Sequence, residues 1–170
     1  MLFNYRALER EGEGALAVLD DSKRLSPAAR ERLFGRILSL AEGVGVAVVP
    51  AAEIDRRGIQ EANLRALREA LAAACSRVGE GVPRLVDGFA IPGALAVAGG
   101  DRRSAAVAAA SVIAKVVRDR HMRMAAALYP QWGFASHVGY PTTAHRLAIA
   151  RHGLSPLHRR TFRWRPPAQP

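Results

Sequence analysis

Two aspartates stand out by their position. Asp87 directly follows a three-residue strand candidate at 84–86, and Asp101 follows a second candidate at 94–98 after Gly99 and Gly100. Strands that each deliver an aspartate at their C-terminal edge can bring hard oxygen ligands to one locus, where they suit Mg²⁺ or Mn²⁺. Two such ions about 3.5–4 Å apart activate a water and stabilise the leaving oxygen in phosphodiester cleavage. Each aspartate also has a structural reading. Asp101, just ahead of a long helix, could cap it or complement its dipole, and Asp87 in Asp87-Gly88 could be a turn residue. The chain has no Gly-x-x-x-x-Gly-Lys phosphate loop, no Gly-x-Ser-x-Gly elbow and no His-Glu-x-x-His helix, which excludes the enzyme classes built on them. His137, His145 and His158 are spaced too widely to suggest a zinc site. The lone Cys75 excludes an intramolecular disulfide and any multi-cysteine zinc site, and fits a reducing, cytoplasmic setting.

Charge points to the partner. Lys and Arg total 25 against 15 Asp and Glu, a formal charge of +10 that draws the chain to polyanions, with nucleic acid first among them. The other reading is an Arg- and Ala-rich composition of the kind a GC-rich coding sequence produces. Lys23, just before a helix start, could contact a phosphate or simply be solvated. Arg159, Arg160 and Arg163, interleaved with Phe162 and Trp164, could grip a nucleic-acid backbone or form a solvated end, with 164–170 frayed. No apolar stretch approaches the roughly 20 residues that cross a bilayer, and the N-terminus lacks the pattern of a secretory signal.

The elements that must position these residues read as α/β. Ser26 and Pro27 open a helix over 27–42 that the Gly43 and Gly45 pair closes. The β-branched run 44–49 reads as a buried strand, and Leu64, Leu67 and Leu71 line a second helix over 59–77. The longest helix spans 104–128, Pro130 and Gly133 break it, and a loop at 139–143 leads to a short helix over 143–152. Lys115 and Asp119, four residues apart on the long helix, read as an ion pair. At 170 residues and 49% hydrophobic, the chain suits one compact domain, with monomer the simplest assembly.

Six collinear segments over about residues 14–165 resemble bacterial ribonuclease HII. They are Asp20-Asp21-Ser22-Lys23-Arg24-Leu25-Ser26, Leu85-Val86-Asp87-Gly88, Gly100-Asp101, the run from Ala108 to Arg120 (AAASVIAKVVRDR), Gly139-Tyr140-Pro141-Thr142, and Ser155-Pro156-Leu157-His158-Arg159-Arg160-Thr161-Phe162. The resemblance implies a ribonuclease H-like fold, with a central mixed sheet flanked by helices. It also implies nicking of RNA-DNA hybrids and of DNA containing single ribonucleotides, by metal-activated water attack 5′ to a ribonucleotide. The family uses Mn²⁺ or Mg²⁺ on four carboxylates, two of which match Asp87 and Asp101, and Tyr140 matches its tyrosine that packs at the ribose and senses the 2′-OH. A tyrosine in a Gly-Pro turn is otherwise a half-buried ring. The family's other two carboxylates lie in Asp-Glu-x-Gly-Arg-Gly, and no Asp-Glu pair precedes Asp21 here. The nearest echo, Glu11-Gly12-Glu13-Gly14, would put Glu13 at the family's arginine and Arg10 at its glutamate. Gly99 and Val138 stand where lysines are usual. The expectation is therefore a fold short of one or more N-terminal strands: either residues 1 to about 13 are foreign to the family, or a strand and its site have been lost. The expected function is a ribonuclease H-type endonuclease, the alternative a catalytically inactive basic module that binds hybrid or RNA.

Overall fold

The computed structural model of the chain describes residues 1–4, 6, 9, 25–76 and 81–163. The fold class is α/β, as expected. The chain divides into two compact units, residues 1–48 with 63–116 and residues 49–62 with 117–170.

In the first unit, helix α1 (Pro27–Leu40) begins as its sequence dictates. Ser26 Oγ accepts the Ala29 N–H at 3.2 Å, and Pro27 occupies the first turn, where its missing N–H costs nothing. The helix buries Ile37 completely. It ends at Leu40, ahead of the expected stop, because the chain passes directly into strand β2 (Ala41–Gly43), which pairs antiparallel with β1 (Leu2–Phe3). Gly43 and Gly45 serve close approach rather than helix termination. A Cβ on either would run into backbone oxygens of Ala74 and Ala70 in helix α3 (Ile59–Ala74). Helix α2 (Ala51–Arg57) lies between β2 and α3 in sequence.

The strand expected over 44–49 is corrected. These residues show a strand's alternating exposure, Val44, Val46 and Val48 facing solvent, but among the described residues they join no ladder. β-branched alternation reports a half-covered surface, and it does not by itself supply a ladder partner.

Strands β3 (Leu85–Asp87) and β4 (Leu95–Val97) pair in parallel, Leu85 with Leu95 and Asp87 with Val97. Their connection is only residues 88–94, short for parallel strands; it closes on itself through an Ile91–Ala94 bridge and buries Ile91. A 3₁₀ turn (Gly100–Arg102) then leads into helix α4 (Ala105–Leu128), whose Val107, Ala108, Ala109, Val112, Ile113 and Val116 are buried. Among the described residues the strands thus form one antiparallel and one parallel two-stranded ladder.

The second unit is organised by the aromatic residues after α4. Trp132, in a 3₁₀ turn (Pro130–Trp132), and Phe134, in the one-turn helix α5 (Phe134–His137), join Ile149 of helix α6 (Thr143–His152) in a core closed by Met122, Tyr129 and Leu157. Trp132 Nε1–H donates to the Gly153 carbonyl at 2.9 Å, satisfying the indole where it is buried. Helix α6 starts where the sequence predicts, with Thr142 Oγ1 accepting the His145 N–H at 3.2 Å. Among the described residues no helix is long and apolar enough to cross a membrane.

Candidate active site

The parallel pairing of β3 and β4 carries Asp87 to the edge from which the chain continues to Asp101. Asp87 Oδ1 accepts the Gly100 N–H at 2.9 Å, so one motif carboxylate is bonded to the residue that immediately precedes the other. Gly99 adopts φ 63° and Gly100 lies against its neighbours, where an added Cβ would stand 3.2 Å from Val107 Cγ1 and 3.5 Å from Asp87 Oδ1. The glycine pair is what lets the turn fold back onto Asp87. Ser104, not Asp101, stands immediately before α4, its Oγ 3.5 Å from the Val107 N–H. Asp87 is more than a local turn residue, since its bond to Gly100 spans thirteen positions. Asp101 is buried and Asp87 exposed, so the pair runs from interior to surface.

The donor chemistry fits a hard divalent ion. Mg²⁺-like cations are commonly held by one or two carboxylates, with water and substrate phosphate filling the remaining positions. Among the described residues no group of three or more His, Cys, Asp or Glu side chains is placed to hold a metal. Lys23, and with it Arg10, Glu11 and Glu13, lies outside the described residues, as do Trp164 and the tail 164–170.

In the second unit Tyr140 is exposed, and the Arg118 guanidinium carbon sits 4.7 Å from its ring centroid. Its loop is forced. Val138 has φ 42° and Gly139 φ 82°, and a Cβ on Gly139 would meet Arg118 Nη2 and Met122 Cε at 3.3 Å. Arg118 also donates to the buried Asp119 at 3.0 Å. Positive charge gathers here: burial, and then the charge of Arg118, lower Arg159, against an opposing pull from Asp55. Arg159 itself stacks over Phe162 at 3.6 Å. Asp55 anchors this basic segment by accepting the Arg160 N–H at 2.8 Å, the Thr161 N–H at 3.0 Å and the Thr161 hydroxyl at 2.7 Å. Those bonds, the Thr161 N–H foremost, hold Asp55 below the usual carboxylate range.

The three histidines that the sequence spaces widely meet in the fold: the His137 and His145 rings stack at 4.3 Å, and His145 Nε2 lies 3.0 Å from His158 Nε2. Helices α5 and α6 and the turn after α6 converge on the Phe134 core, and each carries one of these three histidines. Sequence reasoning missed this cluster, Arg118 and Asp55. Arg118 lies inside a quoted motif, a signal that could have singled it out, whereas Asp55 bonds partners more than a hundred residues away.

The profile of the Ribonuclease HII family matches residues 15–165, across both units. Ribonuclease HII of Mycobacterium tuberculosis (strain ATCC 25618 / H37Rv) is 49% identical over 152 residues, covering 87% of this chain and 56% of the relative. That of Mycobacterium avium (strain 104) is 48% identical over 152 residues, covering 87% of this chain and 65% of the relative. The chain thus spans between half and two thirds of these relatives' lengths. Among solved structures, the ribonuclease H2 from Pyrococcus horikoshii OT3 superposes with a TM-score of 0.69 at 25% identity, covering 94% of this chain and 82% of that one. The ribonuclease H-like fold expected from the sequence is therefore present.

Proposed function

This chain belongs to the ribonuclease HII family, and from that premise we propose that it is an endoribonuclease acting on the RNA strand of RNA-DNA hybrids and on ribonucleotides embedded in DNA. The reading is supported by one observation above all: the bond from the Gly100 N–H to Asp87 Oδ1, which ties one motif aspartate to the residue just before the other. Asp87 and Asp101 would hold the divalent ion, Mn²⁺ or Mg²⁺. When bound, that ion lowers the pKa of water and offsets charge developing on the scissile phosphate, 5′ to the ribonucleotide. Gly100 orients Asp87 through its N–H, leaving the other carboxylate oxygen for the ion. Arg118 and Arg159 supply positive charge for the phosphate backbone beside Tyr140, whose ring packs at the ribose and reads the 2′-OH. Lys23 is assigned to a further phosphate. The lone Cys75 supports a cytoplasmic setting, and a monomer is the simplest assembly.

The alternative is a basic module that binds hybrid without cleaving it, a reading that the formal charge of +10 supports by itself. One experiment separates the readings. Mn²⁺-dependent nicking of a duplex with one ribonucleotide, slow in this chain, accelerated when a segment carrying the family's Asp-Glu is joined to it and abolished by Asp87→Asn, supports the nuclease. Salt-sensitive binding of the same duplex without nicking supports the module. A binding affinity flat in salt contradicts both.

A further inference from the structure

The histidine cluster has one consistent set of protons. The Ser155 N–H can only donate, and it lies 2.9 Å from His158 Nδ1, so that nitrogen presents a lone pair. Neutral His158 therefore carries its proton on Nε2 and donates to His145 Nε2 at 3.0 Å. His145, accepting there, keeps its own proton on Nδ1 and donates it to the Tyr140 carbonyl at 2.9 Å. Independently, the Gly139 N–H points at His137 Nδ1 at 3.2 Å, which leaves His137 Nε2–H to donate to the Trp132 carbonyl at 2.7 Å. Backbone groups thus fix the tautomer of every ring. A second proton on His145 would set two N–H groups against each other across the 3.0 Å gap to His158. Burial first, and then repulsion from His137 when that ring is protonated, disfavours that proton, pushing His145 down to about 4; burial lowers His158 as well.

The chain of bonds ends on Tyr140. The Tyr140 N–H donates to the His137 carbonyl at 2.8 Å, and its own carbonyl also takes the Thr142 N–H at 2.8 Å. Arg146 holds the next carbonyl, Pro141, through Nε at 3.2 Å and Nη2 at 3.0 Å. Val138, a β-branched residue at φ 42°, keeps that conformation only where its surroundings over-determine it. We propose that His145, oriented by His158 and Ser155, is a positioning residue that fixes the main chain of Tyr140 so that its ring stands at the 2′-OH. This inference rests on the reading of Tyr140 given above and extends it to the residues behind the ring.

Two measurements test it. The first uses the unmodified chain. Imidazole ¹⁵N spectra at pH 7 should show His145 as the Nδ1–H tautomer and His137 and His158 as Nε2–H. On acidification the Tyr140 and Thr142 amide signals should move with the His145 midpoint. The titratable groups facing His145 are His137 from α5 and His158 from the turn after α6, and the charges on the loop are Arg146 of α6 and Arg118 of α4. An Nε2–H tautomer at His145, or loop amides indifferent to its titration, would overturn the proposal. The second compares binding of a DNA duplex containing one ribonucleotide with its all-DNA counterpart. His145→Phe keeps a ring against Phe134 and removes both hydrogen bonds. It should cut the preference on the order of tenfold, as expected for a displaced recognition group, with all-DNA binding unchanged. His145→Asn, which keeps a donor at the δ position, should restore most of it. If Tyr140→Ala abolishes the preference while folded His145→Phe retains it, the positioning role fails and the reading of Tyr140 stands. If Tyr140→Ala retains the preference, that reading fails and takes the positioning role with it.

Discussion

Asp87 ends a three-residue strand, and among the described residues its carboxylate is met by the Gly100 N–H at 2.9 Å. Tyr140 has its N–H, its carbonyl and one ring face all engaged, behind a relay that runs through His145 and His158 to Ser155. The contrast matches the roles proposed for the two side chains. A carboxylate that binds an ion needs free lone pairs, so over-satisfying it with protein donors would defeat it. A ring that distinguishes a ribose from a deoxyribose must stand in one place before the sugar arrives, so its main chain is held from every side.

The largest expected effect breaks the carboxylate side of this comparison. Each ion of a two-metal site stabilises a different oxygen of the displacement, worth several kcal/mol, and about 1.36 kcal/mol is tenfold in rate. With Asp87 and Asp101 as the donors, cleavage of a hybrid with Mn²⁺ by the 170-residue chain should be slow. It should rise by roughly three orders of magnitude or more when a segment carrying the family's Asp-Glu is joined to the N-terminus. Robust nicking without that segment would show that Glu9, Glu11 or Glu13 supplies the missing oxygens.

A smaller effect falls on the recognition side. Tyr140→Ala should lower the preference for a ribonucleotide-containing duplex by about tenfold, while Tyr140→Phe keeps most of it, because ring packing carries the discrimination. Competition binding of the two duplexes checks this.

The smallest effect sharpens the comparison through pH. Burial, then the charge of His137, lower His145 from 6.5 to about 4, so the unfolded chain binds its proton first as acid is added. The stability His145 contributes is complete above about pH 6.5 and is lost as pH falls toward about 4, on the order of 1–2 kcal/mol after allowance for solvent screening. Urea unfolding at pH 7 and pH 4.5, followed by tryptophan fluorescence, should show this slope in the parent chain and a flatter one in His145→Phe.

The sequence made the carboxylate region legible because its signals are local. A short apolar run, an aspartate and a glycine sit side by side at 85–88 and again at 95–101, and Ser26, Thr142 and the apolar face of α4 announce their helices. What escaped was contact across the chain. Strands β1 and β2 are too short to show a period, Val44, Val46 and Val48 alternate but join no ladder among the described residues, and Gly43 and Gly45 answer to a helix some thirty residues away. Helix α2 did carry a readable start, Pro50 followed by Glu53 in the first turn. The histidines could not be paired from spacing, since His137, His145 and His158 meet only once α5, α6 and the turn after them have folded onto Phe134.

The central claim is that Asp87 and Asp101 form a hard-cation site, and Mn²⁺ binding tests it without requiring turnover. Titrating the chain with Mn²⁺ and following free ion by electron paramagnetic resonance should reveal one bound ion. Asp87→Asn or Asp101→Asn should weaken it at least about tenfold, and Tyr140→Ala should leave it unchanged. Mn²⁺ bound equally well by both asparagine variants would contradict the account.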